Sequence, residues 1–397
     1  MAASMKDRFF LSALWPLNNF LKATGVLANS SSSQWKRRLS RFWSFFVLCL
    51  TIQSNIYTWI TGIRSFNILF SDQQISIDQL IRDVLMIDAI RLSTLVFDAV
   101  IHISLVFSMW PSVNLYLETL ESVDFNLGRP KLSRLKRYSL IGLANMLLEV
   151  FFFSAFRLHR ILNNSVIIWP AVIQNYIRLV ASHWFSVVPV WIYYICGQLH
   201  VFYVQKMVVR LNLLNELSRN TKTVHRIGST RPFTTLRSLK QLYSAAELLH
   251  HRFSTMLMIN SCSALINMFS ASYYSIESLR QGDMVMLFRD SSDMIAFFVI
   301  RFWLMCHTAD RIRETAAQCI PILRDLRDQT DGKAEVMAST ERIKITSFII
   351  EISQLDKNGD RQSLYGLLPL SKRLIIPTME IIFTYLIIIY QFKAAAQ

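Results

Sequence analysis

The last long apolar stretch of the chain, from Leu374 onward, carries its polar side chains at a regular spacing. Glu380, Thr384, Ile387 or Ile388, and Gln391 fall at i, i+4, i+7 or i+8, and i+11. On an α-helix they share one stripe, while the other faces are Ile, Leu, Phe and Tyr. Lipid is a poor solvent for such a stripe, since an ionised Asp at the centre of a membrane helix costs roughly 2.5–3.5 kcal/mol even on insertion scales. Two placements avoid that cost. The stripe faces the rest of its own bundle, with Gln391 bonded to a neighbouring helix, or it faces water. If several copies surround an axis, that water is a pore.

A second set of groups lies deep in other apolar stretches. Asp88, Arg91, Asp98 and His102 lie on one broad helical face, and Glu149 stands near Phe152, Phe153 and Phe156. Further along come Gln174, Arg178, His183 and Trp184, then Asn267, Tyr273 and Tyr274, then Asp293, Phe297 and Arg301. Buried ionisable groups in a membrane pair with one another or line an aqueous cavity. Aromatic walls with a few polar groups suit a small-molecule pocket. Two readings stay open for each residue. Arg91 lines a pocket or neutralises Asp88, Arg301 neutralises Asp293 or Glu149, and the aromatics bind a ligand or simply pack.

The elements that hold these groups are set by composition. Of 397 residues, 52% are hydrophobic and 17% charged, against about 25% charged in soluble domains. The apolar residues cluster in runs near the ~20 needed to cross a bilayer as helix. Seven spans are predicted, over 42–62, 86–110, 138–157, 178–204, 253–276, 291–309 and 374–392. No cleavable signal peptide is expected, because the apolar patch near the start is short, holds Pro16 and lacks a small-residue cleavage site. The net charge of +15 does not point to nucleic acid, because the basic residues sit between the spans. One set of alternate loops holds 32 Lys and Arg, the other set with the C-terminus 8 when Arg157 and Arg178 at the span edges are included. The positive-inside rule then predicts a cytosolic N-terminus and an extracellular C-terminus. That orientation excludes a G-protein-coupled receptor, as does the lack of an acidic-Arg-Tyr turn after the third span and of an NPxxY-like seventh. The five cysteines are expected to be free thiols.

Three segments on the cytosolic side are patterned as helices. In 234–252, Leu236, Leu239, Leu242, Tyr243, Ala246 and Leu249 recur at helical spacing and run into the fifth span. In 339–356, Ile345, Phe348, Ile349, Ile352 and Leu355 do the same, and a third stretch over 311–328 is expected to break at Pro321. Such helices bury their apolar faces on each other or on lipid, or form a cytosolic domain that also binds neighbouring subunits. The predicted organisation is a cytosolic segment 1–41, spans one to four in 42–204, a cytosolic loop and helical extension 205–252, spans five and six in 253–309, a cytosolic anchor 310–373, and span seven with an outer tail in 374–397. His250 and His251 are expected near a helix start at the membrane face, in contact with lipid or solvent. Asn163 opens an N-x-S sequon in an outer loop, so it is a candidate for glycosylation.

At this point a resemblance adds to the reading. Thr384-Tyr385, five apolar residues, then Gln391-Phe392 at the end of a final span resembles the signature of insect gustatory receptors. Upstream, 365–375 (YGLLPLSKRLI) is similar to that family's Gly-aromatic-aromatic-x-Leu-Asp segment. It keeps Gly366 and Leu370 but has Leu367, Leu368 and Ser371 where aromatics and Asp are common. The resemblance implies an all-α, inverted seven-helix subunit of a tetrameric, ligand-gated, non-selective cation channel in the plasma membrane of sensory neurons. It would open to an extracellular small-molecule tastant and need no cofactor. Carried onto this chain, Gln391 and Phe392 would form the gate near the outer mouth, Phe392 closing it by dewetting and Gln391 hydrating it. Ile388 would lie on the same pore face. Thr384 and Tyr385 would brace the helix within the subunit. Glu380 would attract cations, or pair with Lys372 or Arg373. An odorant-receptor-like channel subunit is the near alternative and a transporter the distant one, although no paired repeat or broken helix is visible. No HExxH, phosphate loop, nucleophile elbow or Cys/His metal set suggests an enzyme, and the DKNG turn at 356–359 lacks calcium-loop spacing.

Overall fold

The computed structural model describes residues 169–220, 230–282, 300–329, 335–357, 363–364 and 368–395, together with scattered positions between 19 and 151 and at 284, 287 and 288. Helices α1 (Trp169–Asn220) and α2 (Thr230–Gln281) each have 52 residues. At 1.5 Å per residue each is about 78 Å long, more than twice the ~30 Å hydrocarbon core of a bilayer. The helices predicted as spans four and five therefore continue unbroken into the segments predicted as cytosolic. Gly282, at φ 71, ends α2 with its N–H on the carbonyl of Leu279, a left-handed cap that a Cβ would strain.

One turn of π-helix over 300–302 leads into α3 (Trp303–Gln329), which is followed by α4 (Glu335–Lys357). Pro321 lies inside α3 without ending it, which corrects the break expected there; the helix tolerates the lost N–H bond because the packed residues on either side hold it. Strands β1 (Ser363–Leu364) and β2 (Leu368–Pro369) pair antiparallel, with Leu364 opposite Leu368. A 3-10 turn (Lys372–Leu374) then enters α5 (Ile375–Ala395). Pro377 falls in the first turn of α5, where no partner for its missing N–H is needed.

α1 packs antiparallel on α2 and also against α3, and α3 packs against α4. The core is what the helical spacing predicts: Leu236, Leu239, Leu242, Tyr243 and Leu249 of α2 and Ile345, Phe348, Ile349 and Ile352 of α4 are buried. Leu355 lies on α4, its side chain outside the described set. These helices bury their apolar faces on each other, and Lys240 joins Glu351 across the outside of that contact at 3.2 Å. Further up, Val113, Tyr116 and Leu120 are helical and buried, and Tyr116 donates to the carbonyl of Cys196 at 3.2 Å. Helical structure thus persists beyond residue 110, the expected end of span two. The thiols are free, Cys196, Cys306 and Cys319 buried and Cys49 and Cys262 exposed.

Spans one, two, three and six lie largely outside the described residues. Among the described residues no helix is long and apolar enough to cross a membrane. The apolar runs of the sequence extend over positions outside that set, including the side chains of 169–187.

Where α1 meets α3, the approach is set by Gly197. A Cβ built there would fall on Cγ2 of Thr308, well inside van der Waals contact. Thr308 cannot turn aside cheaply, because its Oγ donates to the carbonyl of Leu304 at 2.7 Å and β-branching stiffens χ1. Gly197→Ala is expected to lower the stability of the full-length protein by about 1–3 kcal/mol. Thr308→Ser, which removes the clashing methyl, should recover most of that loss. Thermal unfolding of the detergent-solubilised variants checks both. An alanine at 197 with unchanged Tm would show that the helices are not in close contact there.

Candidate functional site

On α5 the polar stripe predicted from spacing is exposed in the single chain. Glu380, Thr384 and Gln391 are all open to the surroundings, Tyr385 is 58% exposed and Ile388 40%. By contrast, Ile382 is 6% exposed and is the buried position among the described side chains of this helix. The helix therefore leans on the rest of the chain along one narrow edge, α2 being the long helix it touches. The Thr384 hydroxyl is spent on its own backbone, donating to the carbonyl of Glu380 at 2.7 Å. Among the described residues no ion pair joins Glu380 to Lys372 or Arg373. Phe392 lies on α5, its side chain outside the described set.

The foot of α5 is held from α3. Asp310 Oδ2 accepts the backbone N–H of Lys372 at 2.8 Å and the Ser371 hydroxyl at 3.5 Å. Its Oδ1 pairs with Arg313, whose Nη2 also donates to the carbonyl of Leu370 at 2.6 Å. Ser371 in turn accepts the N–H of Arg373 and is the N-cap of the entering turn. A carboxylate there suits the positive end of a helix. The i, i+3 pairing of Asp310 with Arg313 is legible in the sequence. Its reach to residues 370–372, about 60 positions away in the chain, is not.

A buried polar and aromatic seam crosses the other helices. His250 is buried, and its Nδ1 lies 3.0 Å from the Tyr193 hydroxyl. It sits in the interior of α2, which corrects the expected helix start with lipid or solvent contact; only His251 is exposed. The membrane face changes the hydropathy of α2 there without interrupting the helix. His200 of α1 meets Tyr243 of α2 edge-on at 5.2 Å, and Tyr243 meets Phe348 of α4 at 6.1 Å. The Tyr243 hydroxyl lies 3.8 Å from Cys319 Sγ on α3. Burial, then the neighbouring Cys319, raises the Tyr243 phenol well above its ordinary range. Burial pushes the Cys319 thiol up to about 11. Both shifts favour the neutral forms of these two groups.

Of the residues read as pocket candidates, Arg178 and Trp184 lie on α1, and Asn267, Tyr273 and Tyr274 on α2, with their side chains outside the described set. The register that sets Tyr193 beside His250 and Phe253, and His200 beside Tyr243, runs antiparallel. It brings 178–184 of α1 and 267–274 of α2 to the same end of the pair, opposite the end that packs with α4. Arg91, Asp98, Glu149, Phe152, Phe156, Asn163, Asp293 and Phe297 lie outside the described residues. Among the described residues no group of His, Cys, Asp and Glu could hold a metal ion.

Comparison with known proteins bears on this arrangement. A search of curated proteins finds no match. Among solved structures, the chain is similar to the insect olfactory receptor OR5 from Machilis hrabei, at 13% identity and a TM-score of 0.65, over 96% of this chain and 99% of that one. At that identity the likeness speaks for the fold, an all-helical receptor architecture. The model of the family described as 7tm chemosensory receptor matches residues 14–395. With nearly its whole length matched, the chain belongs to the 7tm chemosensory receptor family.

Proposed function

We propose that this chain is a gustatory receptor and a subunit of a tetrameric, ligand-gated, non-selective cation channel, opened by an extracellular small-molecule tastant. The observation that carries the proposal is the exposed Glu380–Thr384–Ile388–Gln391 stripe on a helix that buries Ile382 against its own subunit. A glutamine and a glutamate turned away from the subunit need water or another subunit beside them, and an axis shared by four copies supplies both. The Gln391-Phe392 ending, which resembles gustatory receptors, supports the taste assignment. The N-terminus is cytosolic, and α3 and α4, with the cytosolic parts of α1 and α2, form the inner anchor that joins neighbouring subunits. The pocket lies at the far end of α1 and α2, among Arg178, Trp184, Asn267, Tyr273 and Tyr274, with Arg91, Asp98, Glu149, Phe152, Phe156, Asp293 and Phe297 contributed by the other spans. Its many aromatics and few carboxylates favour a bulky, largely apolar compound, such as a bitter substance. Asn163 is glycosylated on the outer side.

Expression of the chain alone in a non-excitable cell, with a panel of bitter compounds, sugars and volatile odorants, tests this reading. The expected result is an inward current carried by both sodium and potassium on addition of a non-volatile panel member. Responses confined to volatile compounds would favour the odorant-receptor-like alternative. Silence to the whole panel at verified surface expression, with no leak in a Phe392→Ala variant, would overturn the channel assignment.

A further inference from the structure

We propose that Asp310, held by Arg313, is a positioning residue for the pore helix: it supplies from α3 the capping carboxylate that fixes where α5 begins. This rests on the channel reading for its functional consequence, though not for its geometry. Three groups, from α3 itself and from the chain entering α5, converge on the one carboxylate. Lys372 N–H and the Ser371 hydroxyl reach Oδ2, and Arg313 holds Oδ1 while also gripping the carbonyl of Leu370. Ser371, in extended conformation at φ −150 and ψ 148, passes the restraint on by accepting the N–H of Arg373. Leu370 is fully buried, so the chain entering the clasp is anchored on its other side too.

The consequence is mechanical. α5 leans on its subunit along the narrow edge marked by Ile382, whereas its foot is tied by charge-assisted hydrogen bonds, which are about twice as strong as neutral ones. A turn of α3 about its axis is therefore transmitted to the first turn of α5. Because α3 also packs on α1 and α4, the clasp carries movements of those helices to the pore-lining one, beside its contact with α2.

Amide hydrogen exchange on the full-length protein in nanodiscs tests the geometry, and resting cation current at matched surface expression tests the consequence. Asp310→Asn, close to isosteric, is expected to speed exchange at 371–376 by about tenfold, with α1 peptides over 188–204 unchanged. Ser371→Asp alone sets two carboxylates side by side and is expected to do the same. In the double variant, Asp310→Asn with Ser371→Asp, the carboxylate has only moved from one side of a 3.5 Å contact to the other, so protection and resting current are expected to return towards wild type. Unchanged exchange at 371–376 in Asp310→Asn, or equal acceleration throughout α1, would overturn the clasp. Exchange that changes while the resting current of a Phe392→Ala background does not would overturn its role in gating. If no variant, Phe392→Ala included, conducts at all, the channel reading fails while the exchange data still decide the clasp.

Discussion

Phe392→Ala is expected to raise the resting cation conductance of cells expressing the chain by about tenfold, the change that accompanies a ~1.4 kcal/mol lower barrier. Phe392 stands next to Gln391 at the end of α5, on a helix whose polar stripe faces away from its own subunit. In the proposed tetramer, four phenyl rings around the shared axis would make a constriction too apolar to stay wet, where an ion cannot shed its hydration. Alanine removes the rings and leaves the four Gln391 amides at the same level. The paired variant Gln391→Leu should act in the opposite direction, lowering evoked current without adding leak. Whole-cell recording at matched surface expression reads both. An unchanged leak in Phe392→Ala would place the constriction elsewhere on α5. A leak in both variants would point to loosened packing instead of a gate.

That stripe was legible because a helix in lipid sorts its side chains by polarity with a fixed period, and only seventh-span residues had to be compared with one another. The same holds for the apolar faces of α2 and α4, where Leu239, Leu242, Ile345 and Ile352 are buried as their spacing requires. The continuity of α2 was legible, since the helical spacing of 234–252 carries straight into the fifth span, as Thr230–Gln281 does. The length of α1 was not, because the lipid boundary changes the hydropathy of a helix without ending it, and α1 runs on past residue 204 to Asn220. Pro321 misled for a related reason: a proline weakens one helical bond, but tertiary packing of α3 against α1 and α4 outweighs it. The clasp of Asp310 on residues 370–372 was the least accessible, since it joins segments far apart in the chain and depends on how two helices sit side by side. The family itself was read from a nine-residue ending, and the family match extends from residue 14 to 395.

Phe348→Ala is expected to cost about 3–5 kcal/mol, since a large buried aromatic leaves both lost contacts and a cavity. Phe348 is fully buried on α4 and meets the ring of Tyr243, whose hydroxyl in turn touches Cys319 of α3. One side chain thus helps seal three helices, and a loss of this size is a large part of the ~5–15 kcal/mol that a domain has in hand. The measurable result is a lower Tm in detergent and strongly reduced surface expression. On the same helix, Ile343 and Ile350 are 68% and 52% exposed, seven positions apart, and so on one open face of α4. Replacing both with serine should leave the stability of the isolated subunit within about 0.5 kcal/mol of wild type. If the anchor joins subunits through that face, the same pair of changes shifts the assembly from tetramer towards smaller species in size-exclusion light scattering. A tetramer that survives the exposed changes would move the subunit contact off α4. A Tm that survives Phe348→Ala would mean that α4 is not packed on α2 and α3 at all.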